Sequence, residues 1–142
     1  VRALVPEAEA ADELAGELSV AFDELARLAE ALSVLGFLTA RSLDAIAAQG
    51  ELVSAPLVVA AFRARGIPAE FVDPRRAMVT DDHFGRAEPQ PEAIAEAARE
   101  RFQPLLREGR VPVTGGFVGA TRDGVTTTLG RGGSDYSASL FG

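Results

Sequence analysis

The residues most suited to chemistry lie between Gly130 and Asp135, near the end of the sequence. A stretch rich in β-branched residues, 125–129, runs there into three glycines, an arginine, a serine and an aspartate. The stretch predicts a strand, and the segment after it predicts the start of a helix. Free backbone N–H groups and the positive end of a helix dipole would converge in this turn, and its glycines would let a ligand approach closely. The pattern therefore predicts an anion site.

The side chains of this segment suit the same chemistry. Arg131 offers a forked donor for a carboxylate or a phosphate. Ser134 can cap the helix and present its hydroxyl to a bound oxygen, and Asp135 falls in the first turn. A plain turn with a helix cap is the simpler alternative, but three glycines and an arginine exceed what a cap requires. The segment has neither the Gly-Lys-Ser/Thr of a Walker A loop nor the spacing of a GxGxxG dinucleotide turn.

The composition narrows the classes of protein to which such a site could belong. The 142 residues, 47% of them hydrophobic, are enough for about one domain with a buried core. The net charge of −7 argues against a nucleic-acid partner bound through phosphate contacts. The absence of cysteine excludes thiolate nucleophiles and cysteine-based zinc sites. No run approaches about 18 apolar residues, so we expect no membrane association and a cytoplasmic protein.

A leucine-rich seam predicts one long helix at the start of the chain. From Leu14 to Leu35 an apolar residue recurs every three or four positions, and Pro6 and Gly36 are a suitable start and stop. Packing against another helix of the same domain is the favoured interpretation of this seam. A dimerising coiled coil is the alternative.

Shorter elements follow, and their alternation is typical of an α/β protein. Gly50 is expected to break the chain before a helix whose apolar face is Leu57, Val58, Ala61 and Phe62. Helices are predicted at residues 42–48, 54–65, 92–106 and 134–141, the third opened by Pro91. Strands are predicted at residues 67–72, 77–80, 111–113 and 125–129, with turns at 73–76 and 122–124. The chain begins at Val1 rather than Met and stops inside a predicted helix, so we expect an excerpt of a longer protein.

Residues 129–138, Leu-Gly-Arg-Gly-Gly-Ser-Asp-Tyr-Ser-Ala, resemble the LGRGGSDYSA signature of aspartate kinases, in the amino acid kinase superfamily. Residues 116–119 are similar to the GFxG loop of that family, and residues 50–55 to its GERLSA segment, with Leu52-Val53 in place of Arg-Leu. Residues 71–89 are most similar to the monofunctional, lysine-sensitive branch. The similar segments occur in the family's order and cover roughly residues 30–142.

The resemblance implies a fold, an activity and its cofactors. The fold would be part of a three-layer αβα sandwich, with residues 1–50 a mainly helical subregion and residues 51–142 the α/β substrate-binding part. The activity would be ATP-dependent phosphorylation of the L-aspartate side-chain carboxylate, with ATP and Mg²⁺ as cofactors. This is the first step toward lysine, threonine and methionine. The full-length protein would be a homo-oligomer.

The resemblance also implies roles for particular residues. Glu51 would bind the amino group of aspartate, Arg131 would pair with a substrate carboxylate, and Phe117 would shape the pocket. Nearby donors would come from Gly132, Gly133 and Ser134. Asp135 would organise the site by hydrogen bonds to a catalytic lysine and to glycine-loop amides. It would not accept a proton, because a carboxylate nucleophile has none to lose.

The resemblance covers only part of the family's catalytic domain. The Lys-Phe-Gly-Gly segment that carries the phosphate-contacting lysine has no counterpart, and the sequence contains no lysine at all. The nucleotide-binding part beyond the last helix and the C-terminal ACT domains have no counterpart either. We therefore expect these 142 residues alone to lack kinase activity.

Several alternatives remain open. A glutamate or N-acetylglutamate kinase would share the fold, and the leucine seam could instead serve a non-catalytic interaction module. Glu51 by itself would only complement a helix dipole, and a phenylalanine beside glycines is more often part of a core. His83 next to Asp81 and Asp82 is typical of a solvated loop, so we predict no metal site there. Arg75 and Arg86 are expected to be surface or loop-anchoring residues.

Overall fold

The computed structural model describes Val1 and residues 4–142; the side chain of Leu35, the last of the predicted seam, lies outside the described residues. The alternation of helices and strands confirms the predicted α/β class. In chain order the elements are α1 (Ala8–Leu35), α2 (Ala40–Ala47), α3 (Gln49–Arg63), β1 (Ala69–Phe71), a 3₁₀ turn (Pro74–Arg76), β2 (Val79–Thr80), α4 (Pro91–Arg107), β3 (Val111–Val113), β4 (Val118–Thr121), β5 (Thr126–Thr128) and α5 (Gly133–Phe141).

The strands form two small sheets. Strands β1 and β3 pair in parallel, with Ala69 opposite Val111. Strands β2 and β4 also pair in parallel, and β4 and β5 form an antiparallel hairpin that turns at Gly124, where φ is 79°. Both parallel pairs are connected through α4, as parallel strands require a crossover. β3 matches the predicted strand, β4 was not predicted as a separate strand, and the other three are shorter than predicted.

Helix α1 has the predicted extent. It begins just after Pro6, and it ends at Gly36, which takes a left-handed φ of 73° and donates its N–H to the carbonyl of Leu32. The first half of the seam packs inside the chain. Its first member, Leu14, forms a buried cluster with Val5 and Ala11, against which the second member, Leu18, packs together with Ala10, Leu57 and Ala60. For this half of the seam, the favoured interpretation of helix packing within one domain is confirmed.

Helices α2 and α3 meet at Ala48 without a loop. Thr39 and Ser42 form a capping box at the start of α2. Ala48 is itself helical, with φ −62° and ψ −26°, and α3 begins at the next residue, Gln49. The predicted break at Gly50 and the predicted start at Ser54 are therefore wrong. A single glycine weakens a helix by only about 0.5–1 kcal/mol, which tertiary packing readily offsets.

The buried face of α3 also differs from the prediction. Ala55 and Val59 are the buried residues, whereas Val58 is 42% exposed. The other predicted face residues, Leu57, Ala61 and Phe62, are half-buried. The helix packs against both α1 and β1, so its central buried row lies between the two contact surfaces.

The segment Ala40–Arg63 corrects the expectation about membrane-spanning segments. By length and composition alone it could cross a membrane, with a mean hydropathy of 1.6 in its most apolar 18-residue window. The expectation that no segment approaches a membrane span is wrong in this limited sense. In this structure the segment comprises α2 and α3, and it carries a buried aspartate, Asp44, that hydrogen-bonds to distant parts of the chain.

A second core cluster joins the sheet to α4 and α5. Met78, Ile94 and Leu129 are buried together, and Val79, Leu140 and Phe141 pack against them. The rings of Phe102 and Phe141 meet edge to face, with centroids 5.2 Å apart. This contact fixes the end of α5 on α4, while the start of α5 lies beside the glycine-rich turn.

Candidate functional site

The glycine-rich segment forms the turn that leads from β5 into α5. Gly130 and Gly132 have φ of 72° and 78°, a region that glycine adopts without strain, and Gly132 occupies the cap position of α5. Ser134 lies inside the helix, and within the described part of the chain no side chain caps α5. The predicted capping role of Ser134 is therefore wrong. The start of α5 therefore has no side-chain cap among the described residues.

Close packing at two glycines places Glu51 and α5 on either side of the segment before β4. A Cβ atom on Gly115 would lie 2.9 Å from the Cβ of Glu51 and 3.2 Å from its Oε2. A Cβ atom on Gly116 would lie 3.0 Å from the Cα of Ser134. A side chain at position 115 would force Glu51 to move, and one at position 116 would require Ser134 to shift by a few tenths of an ångström. Glu51, although 83 positions from Ser134 in the sequence, is thus separated from it by a single pair of glycines.

A third glycine brings Phe117 onto α5. A Cβ atom on Gly133 would lie 3.0 Å from Cδ2 of Phe117 and 2.8 Å from the Cβ of Leu129. Of the predicted site residues, the structure therefore groups Glu51, Phe117, Gly133 and Ser134 through these contacts.

The remaining site residues flank the same turn. Arg131, Gly132 and Asp135 are all exposed, as is Ser134, whereas Glu51 is half-buried. Their functional roles stay predictions, because the structure gives their placement and not their ligand. The exposed guanidinium and the uncapped helix start together provide a place where an anionic group could bind.

Phe117 has an unusual backbone conformation. Its φ is 65°, the one positive value at a non-glycine residue in the described part of the chain. Its N–H donates to Oγ of Ser137 at 2.9 Å, and its carbonyl accepts from the N–H of Leu129 at 2.9 Å. Ser137 is buried and donates in turn to the carbonyl of Gly133 at 2.6 Å. Such conformations persist only where neighbours hold them, and they are frequent at functional sites.

Asp44 is the most connected buried carboxylate near this site. It is 2% exposed, and its Oδ2 accepts the N–H of Gly85 at 2.9 Å and that of Thr128 at 3.1 Å. Its Oδ1 accepts the hydroxyl of Thr128 at 2.7 Å. The sequence pattern did not single out Asp44 or Ser137. What marks Asp44 is its burial one helical turn before the buried Ala48, on the inner face of α2, and this is visible only in the structure.

The loop of residues 81–90 packs against the glycine-rich turn. A Cβ atom on Gly130 would lie 3.0 Å from the carbonyl oxygen of Gly85 and 3.5 Å from Cγ of Arg86. The ends of the loop are held together by Asp81, whose Oδ1 accepts the N–H of Glu88 at 2.9 Å. This last hydrogen bond is the main reason that the pKa of Asp81 is lowered.

His83 forms an exposed pair with Asp81 in this loop. Its Nδ1 lies 2.6 Å from Oδ2 of Asp81, and that hydrogen bond raises the pKa of His83. Among the residues that the structure describes, no group of three or more His, Asp or Glu side chains is arranged to hold a metal ion.

Arg75 was predicted to be either a surface residue or a residue that anchors a loop, and the structure shows it anchoring a turn. Its guanidinium hydrogen-bonds both carboxylate oxygens of Asp73 next to the 3₁₀ turn. Burial alone would raise the pKa of Asp73, but the hydrogen bonds from Arg75 outweigh it and lower that pKa. Arg86 is exposed, as expected of a surface residue.

The site is an open turn and not the cleft that lies elsewhere in the chain. A cleft of about 810 Å³ lies between α1, α3 and β1, with Leu14, Val59 and Phe71 among its lining residues. None of the predicted site residues lines it. Nearer the site, Oγ1 of Thr114, next to Gly115, is a buried polar atom without a hydrogen-bond partner among the described residues.

Fold and site together define an α/β protein with a glycine-rich turn that leads into the uncapped start of a helix. The match to known families is consistent with this class: the pattern of the amino acid kinase family fits residues 6–142. The chain belongs to the amino acid kinase family. The predicted resemblance and the predicted fold are confirmed.

Among curated proteins, lysine-sensitive aspartokinase 3 of Escherichia coli (strain K12) is 44% identical over 124 residues, which are 84% of this chain and 27% of that protein. An aspartokinase of Chlamydia muridarum is 42% identical over 97 residues, 68% of this chain and 22% of that protein. This chain therefore spans about a quarter of the length of these relatives.

Solved structures show the same similarity. E. coli aspartokinase III in complex with lysine and aspartate matches with a TM-score of 0.85 and 41% identity, over 92% of this chain and 28% of that chain. The complex of the same enzyme with aspartate and ADP matches with a TM-score of 0.83 and 42% identity, over 89% of this chain and 28% of that chain.

Proposed function

We propose that this chain is the aspartate-recognising part of an aspartate kinase, which transfers the γ-phosphoryl group of ATP to the side-chain carboxylate of L-aspartate. The observation that carries the proposal is the junction at Gly115 and Gly116, where the Glu51 carboxylate and the start of α5 are packed on the same short segment. The similarity to an enzyme solved with aspartate and ADP supports the choice of substrate.

Recognition of the amino acid would use opposite charges on the two sides of this junction. The half-buried Glu51 would accept hydrogen bonds from the substrate ammonium group. Arg131, exposed at the turn, would donate a forked pair of hydrogen bonds to a substrate carboxylate. A ligand with both groups would bridge α3 and the glycine-rich turn.

The remaining residues would shape and complete the pocket. Phe117 would form one wall, since its backbone is held in a fixed, left-handed conformation against α5. Backbone N–H groups of Gly132 and Ser134 would supply further donors to substrate oxygens, whereas the N–H of Gly133 already donates to the carbonyl of Gly130 at 3.0 Å. Their exposure leaves them accessible to a ligand, apart from Gly133, which is buried.

The reaction would be a direct displacement at phosphorus. An oxygen of the aspartate side-chain carboxylate forms a bond to the γ-phosphorus, and the bond from that phosphorus to the β,γ-bridging oxygen breaks, leaving its electron pair on ADP. The products are 4-phospho-L-aspartate and ADP. The carboxylate is already deprotonated, so no general base is required, and catalysis rests on positioning and charge neutralisation.

Asp135 would therefore act as an organiser. It would hydrogen-bond a lysine that these 142 residues do not contain, together with amides of the glycine-rich turn. Mg²⁺, when bound with ATP, would supply charge neutralisation at the phosphates, and it needs few protein carboxylates because phosphate oxygens and water complete its coordination.

The setting of the activity follows from the same proposal. The reaction would be the first step toward lysine, threonine and methionine, carried out in the cytoplasm by a homo-oligomer. The 142 residues alone are predicted to lack activity, since the phosphate-contacting lysine is not among them. Phosphorylation of aspartate by the isolated 142 residues would contradict that prediction.

Arg131→Ala in the full-length protein that carries this chain tests the proposal. We expect the KM for aspartate to rise about 10- to 100-fold, because a hydrogen bond between charged groups contributes about 1.5–3 kcal/mol. The KM for ATP should change little. Arg107→Ala, which removes an exposed arginine at the end of α4, is the matched control and should leave both constants unchanged. An unaltered aspartate dependence in Arg131→Ala would remove Arg131 from the site.

Two alternatives are less well supported. A glutamate or N-acetylglutamate kinase would share the fold, but the relatives described above are aspartokinases. An interaction module built on the leucine seam would need that seam exposed, whereas its first half is packed on α3.

A further inference from the structure

We propose that Asp44 is a positioning residue that sets the separation between Glu51 and Arg131, and with it the affinity for the amino acid substrate. The inference rests on the proposed function, since it concerns how the two substrate-binding charges are held relative to each other. Asp44 itself would not touch the substrate.

The carboxylate of Asp44 joins three parts of the chain that are distant in sequence. It belongs to α2, it accepts the backbone N–H of Gly85 in the 81–90 loop, and it accepts both the N–H and the hydroxyl of Thr128 in β5. All three hydrogen bonds are 2.7–3.1 Å long, and the residue is 2% exposed. Because it is so deeply buried, the carboxylate has no water to replace a lost donor.

A continuous helical backbone connects Asp44 to Glu51. The carbonyl of Asp44 accepts the N–H of Ala48 at 2.9 Å, and the carbonyl of Ala48 accepts the N–H of Leu52 at 3.1 Å. No loop separates α2 from α3, so a movement of Asp44 is transmitted to Glu51 instead of being absorbed by a flexible link.

Two short connections lead from Asp44 to Arg131. Thr128 ends β5, and the next residue, Leu129, donates its N–H to the carbonyl of Phe117 at 2.9 Å. On the other side, Gly85 is bound to Asp44 through its N–H, and its carbonyl oxygen lies 3.0 Å from the position of a Cβ on Gly130. The Asp44 carboxylate thus holds both the strand that enters the glycine-rich turn and the loop that packs on it.

The neighbouring threonine provides a matched control. The hydroxyl of Thr127 is also buried and bonds to the hydroxyl of Thr80 at 2.7 Å, away from Asp44. Thr128→Val and Thr127→Val therefore each remove one buried hydroxyl from adjacent positions of the same strand. Only Thr128→Val weakens the link to Asp44.

The experiment measures the KM for aspartate, the KM for ATP, kcat and the melting temperature of the full-length protein carrying Asp44→Asn, Thr128→Val or Thr127→Val. We expect Asp44→Asn to raise the KM for aspartate about tenfold or more and Thr128→Val to raise it severalfold, with the KM for ATP nearly unchanged. Thr127→Val should lower the melting temperature without this shift. In the Asp44→Asn/Thr128→Val double variant, the rise should be smaller than the product of the two single effects.

Each contrary outcome is distinct. If Asp44→Asn and Thr128→Val lower the melting temperature but leave the KM for aspartate unchanged, Asp44 is only structural and the inference is overturned. An equal rise in Thr127→Val would overturn it as well. Should Asp44→Asn fail to fold, Thr128→Val decides the question. A wild-type protein with no aspartate-dependent ATP consumption would instead refute the proposed function, and the positioning role with it.

Discussion

At the scale of single residues, the backbone of Phe117 is the least expected feature of the site. A φ of 65° costs a bulky residue of order 1–3 kcal/mol, so its neighbours must hold it in place. Ser137 does so by accepting the Phe117 N–H while donating to Gly133. The resemblance of residues 116–119 to a family loop implies a pocket role for Phe117, but the nearby sequence gives no hint of Ser137. That residue is twenty positions away and contributes only a hydroxyl.

Ser137→Ala should loosen this arrangement. The substitution leaves the partly buried N–H of Phe117 without its partner, which costs about 1–3 kcal/mol. Hydrogen exchange at the Phe117 amide in the full-length protein should report a local opening free energy lower by that amount. Ser139→Ala, which removes an exposed hydroxyl from the same helix, is the control and should change it by less than about 0.5 kcal/mol. If the Phe117 amide were equally protected from exchange in Ser137→Ala and Ser139→Ala, Ser137 would not hold Phe117 in place.

His83 offers a test of the loop at the same scale. It is the single histidine of the sequence, so its NMR titration is unambiguous. Because Asp81 raises its pKa, the midpoint should lie above about 6.5, and Asp81→Asn should lower it. Because the pKa of His83 is raised in the folded protein, the charged pair stabilises the loop fully below the unfolded pKa of histidine. This contribution to stability is lost as the pH rises through the folded pKa. A midpoint at the ordinary value, unchanged in Asp81→Asn, would contradict the pairing.

At the scale of elements, local sequence patterns predicted which helices and strands exist better than they predicted where each one begins and ends. The heptad-like leucines located α1, and Pro91 with Gly109 located α4 to within a residue at each end. The start of α3 was misplaced because Gly50 carries a strong local signal for a break. Only tertiary packing, α2 against β5 and α3 against β1, reveals that the helical backbone continues. Strand β4 was missed because Gly119 interrupts its short hydrophobic pattern.

Gly119 marks the closest approach between elements. A Cβ atom there would lie 2.7 Å from the carbonyl oxygen of Met78 and 2.9 Å from Cγ2 of Thr80. Gly119→Ala should therefore destabilise the protein by about 1–3 kcal/mol, because the obstructing atom belongs to the backbone and cannot rotate away. Gly16→Ala, in α1 with open space around it, should instead stabilise by about 0.5–1 kcal/mol. Thermal unfolding measures both, and a neutral Gly119→Ala would contradict the described packing of β4.

At the scale of the whole molecule, the site depends on contacts between distant parts of the chain. The motif around Arg131 was recognisable from its local glycines and charge, and the motif around Glu51 through its resemblance to a family segment. Their relative placement was not, since it depends on Asp44, whose partner Thr128 is 84 positions away. In the sequence, neither Asp44 nor Thr128 lies in a local pattern that would indicate this contact.

The charge of the chain bears on recognition at this scale. A net charge of −7 does not attract aspartate or ATP from a distance, so binding must rely on local donors. We propose that Arg131 and the uncapped start of α5 supply these donors. Charge-changing substitutions far from this turn should accordingly have little effect on substrate affinity.

The central claim is that this chain recognises aspartate for phosphorylation on its side-chain carboxylate. The direct measurement supplies the full-length protein with ATP, Mg²⁺ and one of three acceptors, namely aspartate, glutamate or N-acetylglutamate, and traps the acyl phosphate with hydroxylamine. We expect the hydroxamate to form with aspartate at a kcat/KM at least about a hundredfold above the other two, a difference of about 2.7 kcal/mol. Faster reaction with glutamate or N-acetylglutamate, or no hydroxamate from aspartate, would contradict the claim.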